Sequence, residues 1–337
     1  MQLVLPTYRV HAIARAARRH GLLLLATLLC SGAAMGQTAL RAWNNHPEGY
    51  PVTEALQYFA DTAQRGTQDR VRIKVFSNAV LGDQTQAVKM MKAGELELAE
   101  FNIAPLAEAV PAVKVLTRPF LFRDSKHMFH HVDGPLGVHM ESQLKDAGFV
   151  VLGWYDGGAR SFYCANKPVH TVQELTGQRI RVQQSEAAIE MVKLLGGTPV
   201  VLPYKDVGDA LKDGRIDCAE NNLPAYESTG HMKSAKYVYL TYHTVAPEVL
   251  VMSVASWNRL GKEDQIRVLE AGRSSALRMR ELWNQRVETS RLAATKQGTQ
   301  FAHLGDEGSV VTRLTPMFAK YLSDPAVRSE VFTILAN

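Results

Sequence analysis

Between Gly177 and Pro224 short apolar segments alternate with amphipathic ones. Residues 179–182 read as a strand, 186–195 as a helix, 199–202 as a strand, 206–212 as a helix and 216–220 as a strand. A strand that returns to its sheet through a helix pairs in parallel, because an antiparallel return needs only a tight turn. This stretch therefore confines the chain to an α/β class with largely parallel pairing.

The earlier residues repeat the pattern. Residues 40–44 read as a strand, and the turn from His46 to Pro51 feeds a helix over 52–64. Strict alternation marks 71–76 as a second strand, and Gly82-Asp83-Gln84 opens a helix through Lys92 that Gly94 closes. A strand over 96–101, a helix over 126–146 and a strand over 149–155 follow. After an apolar strand at 248–253, residues 262–296 contain almost no breaker beyond Gly272, which predicts one long helix. The expectation is two α/β lobes, each a mostly parallel sheet flanked by helices, with the long helix spanning both. Residues 37–158 with 247–280 are assigned to lobe I, and 159–246 with 281–337 to lobe II.

The formal charge of +5 invites a nucleic-acid reading until its location is considered. Residues 1–36 carry Arg9, Arg15, Arg18 and Arg19 and no acid, so without these four of the 38 basic residues the remainder holds 34 against 33 acidic ones. A net charge of +1 gives a polyanion little to hold, and nucleic acid is not an expected partner. Those same 36 residues have the three parts of a secretory signal: a basic region to Arg19, an apolar run from Gly21 to Leu29, and small residues before Gln37. The apolar run falls well short of the roughly 20 residues that cross a bilayer, so cleavage and a periplasmic location are expected. Leu29 stands before Cys30 where a lipid-modified cysteine has a small residue, which argues against a lipoprotein. Export places Cys164 and Cys218 in an oxidising compartment, each in a strand-like segment. The sequence leaves a disulfide and two buried thiols equally open.

Phosphate-binding P-loop, GxGxxG, HExxH and GxSxG patterns are absent, so no cofactor and no enzymatic role are expected. His127, His130 and His131 stand at helical spacing without an acidic or cysteine partner nearby. They read as a partly exposed helix face and not as metal ligands.

Binding residues are expected at strand ends, where ligands gather in open α/β sheets. Arg181 leaves one strand, Arg160 follows another after Gly157-Gly158, and the amide-rich Glu220-Asn221-Asn222 follows a third. A guanidinium offers two parallel donors to a carboxylate, so this set reads as carboxylate capture. Taken alone, Arg179 and Arg181 read first as solvated or ion-paired at a strand end, and Arg160 at another strand end shifts the reading toward a ligand. Asn45, His46, Glu100 and Gln184 stand at equivalent exits, while Asp83 is equally a helix cap.

Three segments carry a family resemblance: Gly177-Gln178-Arg179-Ile180-Arg181-Val182, Leu195-Gly196-Gly197-Thr198-Pro199, and Asp217-Cys218-Ala219-Glu220-Asn221. Together with Leu81-Gly82-Asp83 and Gly94-Glu95-Leu96, they resemble the signature of the DctP-type solute-binding proteins of TRAP transporters. The resemblance spans nearly all the residues after the signal. It implies a two-lobed periplasmic protein that closes over an organic acid and passes it to a sodium-coupled membrane permease. By the same resemblance Arg181 pairs with the ligand carboxylate, Arg160 and Asn221 complete the anion site, and Asn45 or His46, Asp83, Glu100, Gln184 and Tyr204 line the cleft. This chain departs from the family pattern in having Cys218 where a glycine is usual, and in placing Asn222-Leu223 between Asn221 and Pro224.

A dicarboxylate needs a second cation, yet the far-end residues are acids and amides, which suit hydroxyls. A hydroxylated monocarboxylate follows. The segments His46–Pro51 and Tyr155–Arg160 also resemble the branch associated with uronates such as glucuronate and galacturonate. Aldonates, 2-oxo acids and an aromatic acid stacked on Tyr50, Tyr155, Tyr163 or Tyr204 stay open. So do a periplasmic sensor role and, on Asp83 or Glu100 with His46, a secreted sugar-acid hydrolase or lyase. The long helix leaves a monomer as the expected state.

Overall fold

The computed structural model describes residues 38–303 and 305–336. The expected export signal and Cys30 lie outside them. In chain order the strands are β1 (Thr38–Trp43), β2 (Val71–Phe76), β3 (Leu98–Asn102), β4 (Phe149–Cys164), β5 (Arg179–Val182), β6 (Thr198–Val201), β7 (Cys218–Asn221), β8 (Tyr237–Ser253) and β9 (Gln300–His303). The helices that bear on the site are α1 (Pro51–Gly66), α2 (Gln84–Lys92), α3 (Ile103–Ala109), α4 (Ser125–Val132), α5 (Pro135–Asp146), α6 (Glu186–Leu194) and α7 (Lys262–Lys296), followed by α8 (Glu307–Ser323) and α9 (Pro325–Leu335).

All the strands form one nine-stranded sheet in the order β2-β1-β3-β8-β4-β7-β5-β6, with β9 beside β8. Parallel pairing joins β1 to β3, β5 to both β6 and β7, and β9 to β8. The long β4 and β8 run antiparallel to each other, and each also pairs antiparallel with an outer strand, β7 or β3. These two strands therefore join the halves of the fold. Their register shifts between Asp156 and Ala159, where two glycines interrupt the apolar sequence. Apolar clusters cover both faces of each half. One half is filled by Trp43, Phe101, Leu56, Phe59 and their neighbours, the other by Phe162, Ile180, Tyr226 and Leu240.

The long helix α7 occupies the range its unbroken sequence predicts. Gly272 lies inside it because the helix presses on β4: a Cβ at Gly272 would sit 2.6 Å from the Leu152 carbonyl oxygen. Gly158, with φ +69°, meets the same helix, and a Cβ there would lie 2.4 Å from the Trp283 ring.

Some expectations need correction. The helix expected over 126–146 is two helices, α4 and α5, because Gly134-Pro135 breaks the backbone ladder. Residues 149–155 and 161–164 belong to one strand, and β8 begins eleven residues before the apolar run at 248. Polar residues turned toward the site hide both continuities from a hydropathy pattern. His127 and His131 are buried, with Nε2 atoms 3.1 Å apart and His127 against the Ile334 carbonyl of α9. Only His130 is exposed. Cys164 and Cys218 are bonded, at paired positions of β4 and β7.

Candidate functional site

Arg181 is 3% exposed and donates from Nε and Nη2 to the Leu202 carbonyl at 3.0 and 2.8 Å. Among the described residues no carboxylate pairs with it. Burial pulls its pKa down, a sign of a cation left short of compensation. Arg179, two residues earlier, points outward and makes a two-pronged pair with Asp217 at 2.9 and 2.7 Å. The ion-pair reading thus applies to Arg179, and Arg181 is the inward member.

Arg160 is held differently. Its Nε and Nη2 meet Glu220 Oε2 and Oε1 at 2.5 and 2.9 Å, Nη2 also meets the Glu220 carbonyl at 2.9 Å, and Nη1 donates to Asn221 Oδ1 at 2.8 Å. Of five guanidinium hydrogens, one on Nη1 is left for any further acceptor. Burial pushes the Glu220 carboxyl up, but Arg160 and His243 outweigh it and hold the group at about 2. His243 Nε2 lies 3.5 Å from Glu220, a contact that sequence reasoning missed.

Arg181, Gln184 and Tyr204 from one half, and Asn45, Asp83 and Thr85 from the other, line a cleft of about 90 Å³. Thr85 Oγ1 donates to Gln184 Oε1 across it at 3.1 Å. Asp83 is a helix cap that also stands at the cleft: it caps α2 by accepting from the Gln86 N–H at 2.8 Å.

Tyr204 leads from this cleft to a buried acidic cluster. Its ring packs edge-on against His46 at 5.6 Å, and His46 stacks on Tyr50 at 4.1 Å. Behind His46, β3 supplies Glu100 and β8 supplies Glu248, 0% and 2% exposed. Glu248 Oε1 accepts from Asn102 Nδ2 at 3.3 Å and lies 3.6 Å from His46 Nε2. Among the described residues no hydrogen-bond partner reaches either oxygen of Glu100, Oε2 of Glu248 or Nδ1 of His46. Burial, and then the neighbouring Glu248, push the Glu100 carboxyl well up. His46, Glu100 and Glu248 each place one donor atom within 4.8 Å of the others, so this is the set that could hold a cation. The same unanswered acceptors also suit ligand hydroxyls. The structure thus groups Arg181, Gln184, Tyr204, Asn45 and Asp83 around the cleft, Arg160 with Asn221, and His46 with Glu100. Sequence reasoning missed Glu248. Its signal was a single acid heading the apolar run to Ser253, where a charge buried in a strand calls for a partner or a ligand.

Two α/β lobes joined by crossing strands, with unpaired charges turned into the cleft between them, define an extracytoplasmic solute-binding protein. The chain belongs to the DctP family, described as bacterial extracellular solute-binding protein, family 7, which it matches over residues 43–321. It is 35% identical over 321 residues to a solute-binding protein of Chromohalobacter salexigens, covering 95% of each chain. Among solved structures, it is similar to a TRAP periplasmic solute-binding protein of Roseobacter denitrificans with bound β-D-glucuronate. That likeness has 37% identity, a TM-score of 0.86, and covers 89% of this chain and 99% of the other. A Bradyrhizobium protein of the same kind, in complex with α/β-D-galacturonate, is 38% identical with a TM-score of 0.86 over 89% and 100% of the two chains.

Proposed function

We propose that this protein is the periplasmic receptor of a TRAP transporter for a uronate, of which glucuronate and galacturonate are the leading candidates. The observation that carries this reading is the buried Arg181, whose only hydrogen-bond acceptor among the described residues is the Leu202 carbonyl. A desolvated guanidinium without an anion favours a ligand carboxylate strongly, because a charge-assisted two-pronged pair replaces an uncompensated charge. The remaining Nη1 hydrogen of Arg160 and the amide of Asn221 stand beside that anion site. Acceptors then dominate the far end: Glu100, His46, Asn45, Asp83 and the carbonyl oxygen of Gln184, with the Tyr204 ring forming one wall. The sugar acids held by similar proteins fit this polarity.

Arg181 and Tyr204 belong to one half and Glu100 and His46 to the other, so one molecule touching both ends favours the closed arrangement over the open one. Nothing in this cycle requires chemistry on the ligand, and release goes to the membrane permease subunits. The proposal includes a cleaved signal over residues 1–36 and a monomeric receptor.

Isothermal titration of the chain from Gln37 with uronates, aldonates, C4-dicarboxylates and aromatic acids tests it. Glucuronate or galacturonate should bind at micromolar Kd or tighter, at least 100-fold better than succinate. Preference for a C4-dicarboxylate or an aromatic acid overturns it.

A further inference from the structure

The acidic cluster poses a problem that the anion site alone does not answer. Two carboxyl groups share a buried pocket, and no lysine or arginine pairs with either among the described residues. Glu248 receives the Asn102 amide at 3.3 Å and has His46 Nε2 at 3.6 Å, while among the described residues no donor reaches its Oε2 or either oxygen of Glu100. Two acids this close in a medium of low dielectric make a further negative charge beside them costly.

We propose that Glu248 is a specificity-determining residue: it accepts a hydroxyl at the end of the acid remote from Arg181 and rejects any ligand with a second carboxylate there. This rests on the uronate reading and adds to it the rule by which the far end is read. Oε2 of Glu248 is buried and without a donor, so an incoming hydroxyl gains a charge-assisted bond. An incoming carboxylate meets two buried acids instead, a like-charge contact that disfavours it.

The test compares Glu248→Gln, Glu100→Gln and wild type by titration with D-galacturonate and with galactarate, which replaces the hemiacetal end by a second carboxylate. Thermal melts without ligand check folding. Glu100→Gln changes the neighbouring acid and should weaken galacturonate less than Glu248→Gln does. Glu248→Gln should bind galacturonate at least 30-fold more weakly and shrink the preference for galacturonate over galactarate at least tenfold. Wild-type affinity and selectivity in Glu248→Gln, with both variants folded, overturns the inference. Failure of wild type to bind any uronate overturns the uronate reading and this inference together. Uronate binding that Arg181→Ala abolishes and Glu248→Gln leaves intact overturns the inference alone.

Discussion

Arg160 and Arg181 are almost equally buried, at 4% and 3% exposure, yet their surroundings are opposite. Around Arg160 charges and amides answer one another: Glu220 takes two prongs, Asn221 a third, and His243 closes on the far side of Glu220. Among the described residues only the Leu202 carbonyl hydrogen-bonds Arg181, and in the acidic cluster no donor reaches Glu100. A buried pair that is satisfied holds the backbone in place, and breaking it leaves a stranded charge. A buried charge without a partner weakens the free protein and is worth keeping only where a ligand completes it. The first region is frame and the second is site.

Arg181→Ala should separate them most sharply. Uronate affinity should fall at least a thousandfold, about 4 kcal/mol, while the melting temperature without ligand holds or rises. A large drop in that melting temperature would make Arg181 part of the frame. Glu220→Gln is the converse change. Removing the partner of a buried Arg160 should cost about 3–4 kcal/mol in urea unfolding at neutral pH. Glu220 is held at about 2, below its value in the unfolded chain, so its contribution is present above about pH 4.5. It is lost as pH falls toward 2, and the variant should show a shallower acid limb.

Opening the Cys164–Cys218 bond by double serine substitution releases a loop of 54 residues and should cost about 2–4 kcal/mol. Because the bond ties β4 to β7 beside Arg160 and Glu220, this loss belongs to the frame, and uronate affinity at low temperature should change less than stability does. The smallest effect is expected at the rim of the cleft. Lys114 meets Glu186 of α6 at 2.9 Å, with the Glu186 side chain 53% exposed. Lys114→Ala should weaken uronate binding by about threefold or less, since exposed pairs contribute under about 1 kcal/mol. A tenfold loss would mean that this contact latches the closed state.

The division between frame and site was only partly legible in the sequence. Strand and helix alternation gave the α/β class, and the unbroken run after Gly261 gave the long helix to its ends. The strand exits pointed to Arg181, Arg160 and Asn221. Which arginine is paired was not legible, because Glu220 lies sixty residues from Arg160 and reaches it only through the β4–β7 register. Glu248 escaped for a similar reason: it meets Glu100 and His46 only once β8 has paired beside β3. The two long crossing strands were read as shorter ones because polar and glycine residues near Asp156 interrupt their apolar pattern.

The most direct measurement is a crystal structure of the mature protein with galacturonate or glucuronate bound. The account predicts a carboxylate bonded by both prongs of Arg181 at about 3 Å, with ring hydroxyls directed toward Glu100 and Glu248. A ligand carboxylate away from Arg181, with that guanidinium still bonded only to Leu202, would contradict it.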